Sequence, residues 1–354
     1  MAQKHWKASF EEKARFAHAY YMEFYNCMWG TALAQHGADE VQRMHWTQIR
    51  RHQRNFFLPG LEKLGLTNEK SDAIASAKYH VLANILGGID VQYIEESPEK
   101  AWIRYNPPNF FGTLVSALPS RAVVPDFAGW HAYNGRSLGN PRLGYVLTHL
   151  MCQGDPYDAG YFKLYDHDLD PEECLQFSQG ERMPPIDPAT QPQLGEDWTP
   201  ERRLRALRNY GVEFAYEVIH TLLDLHGVGG ARAVVANAAA ISTANQYKKI
   251  IDTLGLEKFD AEGIALFIQR DRALLDEEVE VEKVSTDEYV VRQKARNRRL
   301  FPAPASLPVE IDEALLQGWR TFVELVNRDL TVEMTQALSS GHPQYEWQIH
   351  RRAD

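Results

Sequence analysis

Apolar residues recur at helical spacing through the first 90 residues of the chain. Between residues 10 and 35, large apolar and aromatic side chains return every three or four positions, which predicts an amphipathic helix. The pair His36-Gly37 is suited to end this helix, because glycine readily adopts the backbone of a helix terminus. The same spacing predicts two more helices, over about 39–58 and about 70–86.

The pattern changes after residue 88, where apolar and polar residues begin to alternate. Residues 89–106 alternate around Ser97-Pro98, which predicts a β-hairpin. A further helix and a final pair of strands are predicted to follow, with the strand pair within residues 162–177.

The chain then repeats this order. The stretch LAQHG at 33–37 returns as LDLHG at 223–227, 190 residues later, and matches at the same offset run without a gap from Tyr20 and Tyr210 to Val91 and Val281. The sequence therefore predicts an α+β fold, a tandem duplication of a helix-rich module with a small antiparallel sheet. Related surfaces are self-complementary, so we expect the two copies to pack as a pseudo-dimer.

The repeat predicts where the domains begin and end. Residues 1–178 form the first copy and the candidate active module, and residues 201–354 form a second copy that is mainly structural. Residues 179–200 between them are rich in proline, glycine and glutamine, which is typical of a linker. Thr199 and Pro200 predict the start of the next helix.

Composition and charge exclude several classes of partner. The formal net charge is −10, and the short arginine groups at Arg50 and Arg296 are expected on solvated faces. Binding to nucleic acid or to an anionic membrane is therefore not expected. The start of the chain lacks an apolar signal segment and no stretch is long enough to cross a bilayer, so we expect a cytoplasmic protein. Three scattered cysteines predict reduced thiols rather than a disulfide framework.

Histidines distinguish the two copies and indicate where chemistry could lie. Imidazole titrates near neutrality and can act as acid, base or ligand, so a cluster confined to the first copy marks that copy as the chemical one. For any single histidine, the alternative is a surface position at which the residue has changed without a functional role. At the same offset, four residues of the first copy are replaced in the second: His45 by Val235, Trp46 by Ala236, His52 by Ser242 and His80 by Arg270.

A metal site is a further alternative for these histidines. His45 and His52 lie two helical turns apart, about 10 Å along the axis, so one ion cannot bind both. No HExxH motif or paired-ligand spacing is present, and no phosphate-binding glycine motif is present either. We therefore expect no cofactor, with a metal ion as the open alternative.

The stretch THLMCQGDPYDAGYF, residues 148–162, groups polar side chains in the first copy. If it is helical, His149 and Cys152 lie one turn apart on one surface, although the negative end of the helix dipole disfavours a thiolate there. Asp155 could serve as a base or bind an amine. No full counterpart of this stretch is apparent in the second copy, and residues 134–145 nearby predict a loop that could act as a lid.

These motifs resemble those of a known family. The helices, the hairpin with its arginine-bearing strand, Cys-x-x-Asp at 152–155 and Cys-x-x-Phe at 174–177 are similar to the L-2-amino-thiazoline-4-carboxylate hydrolase-like proteins. More distantly they resemble ligand-binding domains of vinyl-reductase sensors and vesicle-tethering subunits. The resemblance covers most of residues 10–177, and in weaker form 205–350. It implies hydrolytic opening of a small nitrogen-containing ring, or a pocket for a small polar molecule.

The sequence leads to one functional prediction with two alternatives. The prediction is an enzyme that acts on a small polar molecule by hydrolysis or elimination at a C–N or related bond, in a pocket of the first copy. The alternatives are a sensor that binds a small ligand without turnover, and a metal-dependent lyase or oxidoreductase with histidine ligands. Oligomeric state stays open.

Each candidate residue has a predicted role. His45, His52 and His80 would supply acid and base, with Glu23 orienting one of them, while His149 and Cys152 would sit at the mouth of the pocket. Arg104 would meet a substrate carboxylate, because a guanidinium binds one bidentately. The remaining substrate-binding candidates are Asp155, Tyr20 and Trp46.

Overall fold

The computed structural model describes residue 6 and residues 8–108, 110–297 and 307–352, and it has an α+β fold, as the sequence predicts. The helices are α1 (Phe10–His36), α2 (Ala38–Lys63), α3 (Asp72–Leu86), α4 (Ser120–Val123), α5 (Pro125–Gly129), α6 (Asn134–Leu138), α7 (Pro200–Leu254), α8 (Ala261–Ala273) and α9 (Val309–Val326). The strands are β1 (Val91–Ser97), β2 (Lys100–Tyr105), β3 (Leu143–His149), β4 (Asp158–Leu164), β5 (Leu175–Phe177), β6 (Glu280–Lys283), β7 (Tyr289–Gln293), β8 (Leu330–Gln336) and β9 (Tyr345–Arg351).

The chain divides into two compact units that differ from the predicted domains. The central unit is Ala32–Ala206, and the C-terminal unit combines the chain up to Thr31 with the chain from Leu207 onward. The predicted boundaries at 178 and 201 are therefore not unit boundaries. Phe16 and Ala17 of α1 explain the difference, because both side chains belong to the hydrophobic core of the C-terminal unit.

The segment predicted as a linker is folded onto the central unit. Met183 and Ile186 pack against the apolar cluster on one face of the sheet. The Gln191 side chain accepts a hydrogen bond from Tyr93 N at 2.9 Å and donates one to Tyr93 O at 2.8 Å, so its amide pairs with edge strand β1. The predicted helix start is present, since Thr199 Oγ1 accepts from Arg202 N at 3.3 Å.

Within the described residues each unit holds one sheet, and four strands of the central sheet follow the same order as the four strands of the C-terminal sheet. The central sheet has the order β1-β2-β4-β3-β5, with β5 parallel to β3 and the other pairs antiparallel. The C-terminal sheet has the order β6-β7-β9-β8 and is antiparallel throughout. The tandem duplication itself stays a prediction.

The stretch around His149 and Cys152 is not helical, and it has a counterpart. His149 ends strand β3, Cys152 lies in the short 3₁₀ turn Met151–Gln153, and Gly154 closes the turn with φ 97°. In the C-terminal unit, β8 is followed by the 3₁₀ turn Leu338–Ser340 and by Gly341 with φ 84°. The prediction of a helix was wrong because a short apolar run does not distinguish a buried strand from a helix.

The predicted lid over 134–145 is also absent. Residues 134–138 form α6, and residue 143 begins β3. Gly135 permits close packing rather than a mobile loop, because a Cβ there would lie 2.6 Å from both Asn140 O and Leu143 O. Glycines at such contacts resemble loop glycines in sequence.

The two units differ in the helix before their third strand. In the C-terminal unit, α9 is continuous over 18 residues. In the central unit, α4, α5, the 3₁₀ turn His131–Tyr133 and α6 replace it. Pro125 begins α5 and has no backbone N–H to donate, which explains a break at that point. The broken path places His131 and Asn134 in the core, where they are 5% and 0% exposed.

Candidate functional site

A cavity in the C-terminal unit is lined by aromatic and charged side chains together. Its volume is about 70 Å³, and α1, α7, α8, α9 and the sheet all contribute to its wall. The charged residues around it are Asp271, Arg272, Arg296 and Asp312, and the aromatic ones are Tyr20, Tyr21, Phe24, Tyr216, Trp319, Tyr345 and Trp347.

One ion pair on the wall is formed by Asp312 and Arg296. Arg296 Nη2 donates to Asp312 Oδ1 at 2.7 Å, and the Asp312 side chain is 3% exposed. Asp312 Oδ2 also accepts from Ser339 Oγ at 2.7 Å and from Tyr345 Oη at 2.9 Å. Three donors therefore converge on this carboxylate at the cavity wall.

The second ion pair joins neighbouring residues at the end of α8. Arg272 Nη2 donates to Asp271 Oδ2 at 2.6 Å, and Trp319 Nε1 donates to the same oxygen at 3.2 Å. The guanidinium carbon of Arg272 lies 5.0 Å from the centroid of the Trp319 ring. Indole and carboxylate thus fix the guanidinium in place through a cation–π contact and an ion pair.

Burial sets the protonation states of the groups around the cavity. It raises the pKa of Tyr20, with the Asp271 charge acting in the same direction, and it is also the main cause of the raised pKa of Tyr345. Burial lowers the pKa of Arg296, but the Tyr216 and Asp312 interactions outweigh it and the net pKa is raised. The cavity wall therefore combines neutral phenols with charged guanidinium groups at neutral pH.

Of the predicted site residues, Tyr20 lines this cavity. Its hydroxyl lies 3.1 Å from Thr243 Oγ1. Glu23 lies one turn further along α1 in the same unit, where Glu23 Oε1 accepts from Asn245 Nδ2 at 2.9 Å. The second copy was expected to be mainly structural, but two ion pairs line the cavity formed largely by that part of the chain.

The predicted acid–base histidines are buried in the central unit and held by hydrogen bonds or ring contacts. His45 Nε2 lies 2.7 Å from Asp126 Oδ1, and His45 Nδ1 lies 2.7 Å from Ala122 O. Burial lowers the pKa of His45, but the Asp126 carboxylate outweighs burial and the net pKa is raised. His45 is therefore a partner of α4 and α5, with both ring nitrogens engaged.

His80 pairs with a histidine that the sequence analysis missed. The rings of His80 and His131 stack with 3.9 Å between centroids. Asn134 Nδ2 lies 3.0 Å from His80 Nε2, and Tyr105 Oη lies 2.8 Å from His131 Nε2. Burial lowers the pKa of both rings, so both are neutral at pH 7.

The other two aromatic candidates on α2 have different surroundings. His52 is 5% exposed and lies between the rings of Phe56 and Trp130, with centroid distances of 4.5 and 4.6 Å. Trp46 is 38% exposed and contacts the Tyr133 ring edge-on. Trp46 is therefore a surface residue rather than part of an enclosed wall.

A second group of predicted residues gathers at one end of strands β2, β3 and β4 of the central sheet. Tyr157 lies near both Arg104 and His149, with its ring 5.1 Å from the guanidinium carbon and 5.0 Å from the imidazole centroid. Asp155 Oδ2 accepts from Leu150 N at 2.7 Å. Burial, with the charges of Asp158 and Asp155, raises the pKa of Cys152 to about 11. The thiol is therefore protonated at neutral pH.

The missed cavity residues do leave a signal in the sequence. Asp312 lies on the apolar stripe of α9, one turn before Leu316 and two turns before Trp319. A charged residue on the buried face of an amphipathic helix needs a partner, so this position indicates a buried pair. The sequence analysis missed Asp312 because it selected polar residues of the first copy, and Asp312 lies in the second.

The part of the chain that the structure describes contains neither a metal-binding group nor a membrane-spanning helix. Within these residues, no three His, Cys, Asp or Glu side chains come together as a metal-binding group. Nor does any helix in the described ranges combine the length and apolar character needed to cross a membrane.

Comparison with known proteins gives a weak structural likeness. No known protein family matches the sequence, and no curated protein matches it. Among solved structures, the chain is similar to a trafficking protein particle complex subunit 3 from Naegleria fowleri, covalently bound to palmitic acid. That likeness has a TM-score of 0.31 and 15% sequence identity, and it covers 40% of this chain and 95% of that chain. A likeness this weak carries no argument about function.

Proposed function

We propose that the protein binds a small polar organic molecule in the cavity of the C-terminal unit. The proposal depends on one observation, that two arginine–aspartate pairs line an aromatic-walled cavity. Binding sites for small molecules are concave, with apolar walls and a few convergent polar groups. Buried ion pairs add little stability over apolar residues of the same size, so their presence beside a cavity favours a role in recognition.

The volume and the wall chemistry limit the ligand. A cavity of about 70 Å³ is smaller than the roughly 150 Å³ that accommodates benzene. The ligand is therefore smaller than an aromatic ring. Arginine favours a carboxylate and aspartate favours an ammonium or amide N–H, so a small carboxylate, amide or amino acid fits this wall.

Titration calorimetry with four small probes tests the proposal. Acetate, acetamide, methylammonium and glycine, at matched ionic strength, represent an anion, a neutral amide, a cation and a zwitterion. We expect saturable one-to-one binding of at least one probe to the full chain. Ala239 lines the cavity, so Ala239→Leu is expected to fill part of it and weaken binding by tenfold or more.

Ala233→Leu is the matched control, because Ala233 is exposed on the same helix. This variant should bind the probe with the affinity of the wild type. The absence of saturable binding by all four probes contradicts the proposal. Equal affinity in wild type and Ala239→Leu contradicts it as well, because the bound probe would then lie elsewhere.

The enzymatic alternative, hydrolysis or elimination at a C–N bond, is a proposal about the central unit. Its predicted histidines His45 and His80 have ring nitrogens engaged by Asp126, Ala122 and Asn134. They also do not line the cavity described above. Both observations favour ligand binding as the first candidate, and product formation from L-2-amino-thiazoline-4-carboxylate would favour the enzyme.

A further inference from the structure

Four residues lie in register across the central sheet: Gln92, Arg104, Ala159 and His149. We call them the central row. Gln92 pairs with Arg104, Arg104 pairs with Ala159, and Ala159 pairs with His149. Directly paired residues of antiparallel strands point to the same face of a sheet. The contacts of Arg104 and His149 with the Tyr157 ring agree with this placement.

The C-terminal sheet has a corresponding row with different chemistry. Glu280 pairs with Arg292, Arg292 with Glu346, and Glu346 with Gln336. Both rows cross the sheet in the same strand order, and both end at a register shift in the last strand. The arginine is common to the two rows, while carboxylates flank it in only one.

Arg292 is neutralised by its own sheet. Arg292 Nε donates to Glu346 Oε2 at 2.6 Å, and its Nη1 pairs with Glu282 on strand β6. The guanidinium therefore has two anionic partners from neighbouring strands. In the central sheet, the residue aligned with Glu346 is Ala159, and the residue aligned with Glu280 is Gln92.

Among the described residues, no carboxylate pairs with Arg104 in this way. Its Nη2 donates to the neutral amide oxygen of Gln92, and its guanidinium lies over the Tyr157 ring. Arg104 Nε is buried and has no hydrogen-bond partner among the described residues. A half-buried guanidinium with an unpaired donor thus lies near an aromatic ring and an imidazole.

We infer that the central row binds an oxyanion, either a carboxylate or a phosphate of a small molecule. A guanidinium presents donors that match such a group in a fork, and the imidazole of His149, which contacts the same Tyr157 ring, supplies a further donor. The Arg104–Tyr157 contact holds the guanidinium without neutralising it. This site is separate from the cavity of the proposed function and does not depend on it.

Titration of the full chain with benzoate, phenyl phosphate and benzylamine tests the inference. The two anions distinguish a carboxylate site from a phosphate site, and benzylamine is the cation control. The titration is done in Ala239→Leu as well as in wild type, so that a probe in the cavity is recognised. We expect one anion to bind saturably in both backgrounds, and benzylamine not to bind.

Two substitutions in the row separate charge recognition from folding. Gln92→Glu is close to isosteric and places a carboxylate beside Arg104, as in the other row. Arg104→Gln removes the cation. Each is expected to weaken anion binding tenfold or more, whereas Arg292→Gln in the C-terminal sheet leaves the affinity unchanged.

The outcomes are decisive in both directions. Loss of binding in Gln92→Glu with an unchanged urea unfolding midpoint supports the inference, because the fold is then intact and only the charge has changed. The inference is overturned if neither anion binds the wild type, if Arg104→Gln binds as well as the wild type, or if Arg292→Gln weakens binding equally.

Discussion

The imidazole rings of His80 and His131 stack face to face in the core of the central unit, with centroids 3.9 Å apart and planes inclined by 12°. His80 is 1% exposed and His131 is 5% exposed. Burial lowers the pKa of His131 to about 3, and burial, together with the repulsion that a protonated His131 would exert, holds the pKa of His80 well below its usual value. His80 and His131 therefore stay unprotonated in the folded central unit at pH values where they take up protons in the unfolded chain.

This stack predicts that acid destabilises the protein. The unfolded histidines take up protons below about pH 6.5 while the folded ones stay neutral, so stability is retained above that pH and is lost as the pH falls towards 3. Each such histidine contributes about 1.4 kcal/mol per pH unit in this range. We expect His131→Phe to reduce the loss in urea midpoint between pH 7 and pH 5. His167→Gln, at an exposed histidine, should keep the wild-type slope.

The pair formed by His45 and Asp126 predicts the opposite pH dependence. The folded pKa of His45 is raised, so the charged ring stabilises the fold below about pH 6.5, and this contribution is lost as the pH rises through the folded pKa. Asp126→Asn is expected to lower the free energy of unfolding by about 1.5–3 kcal/mol at pH 6, and by less at pH 9.

Asp39→Asn is the control for that variant, because Asp39 pairs with Arg121 on the surface with 91% of its side chain exposed. Its effect on the free energy of unfolding should be small at both pH values. A penalty for Asp126→Asn that grows with pH would contradict the assigned direction.

Cys152 is predicted to react slowly with alkylating agents. Its pKa is raised to about 11 by burial and by the Asp158 and Asp155 charges, so thiolate is scarce at pH 7.5. We expect iodoacetamide to modify Cys152 about a hundredfold or more slowly than an unperturbed thiol, as measured by mass spectrometry of digested peptides. Asp155→Asn should speed the reaction, and Asp166→Asn should not. Modification of Cys152 at the rate of a free thiol would show that the turn exposes it.

Gln191 is predicted to hold the segment 179–200 against strand β1. Its side-chain amide makes both hydrogen bonds with the Tyr93 backbone, so Gln191→Ala removes two contacts at the sheet edge. We expect faster cleavage between residues 179 and 200 in limited proteolysis. Gln193→Ala is the control, since its side chain is exposed and, among the described residues, donates to Gln191 O alone, at 3.4 Å. Equal cleavage rates in the two variants would contradict the prediction that Gln191 holds this segment against strand β1.

Helix α3 and the first hairpin illustrate what local patterns can predict. Ser71 accepts from Ile74 N and starts α3 close to the expected residue, and Ser97-Pro98 marks the turn between β1 and β2. Helical spacing and strand alternation depend on neighbours within a few residues, so they can be recognised from the sequence alone. The interpretation of 148–153 as a helix was wrong because a buried strand end carries the same apolar signal.

The candidate sites depended on contacts that no local pattern contains. Asp312 meets Ser339 and Tyr345, and Tyr20 meets Thr243, across separations of 27 to 223 residues. The sequence by itself determined the α+β class, most helix positions and a chain without a strong basic patch, because these depend on composition and short-range order. Only the tertiary structure decided which ionisable groups are buried and paired, because burial and charge pairing depend on side chains brought together from distant parts of the chain.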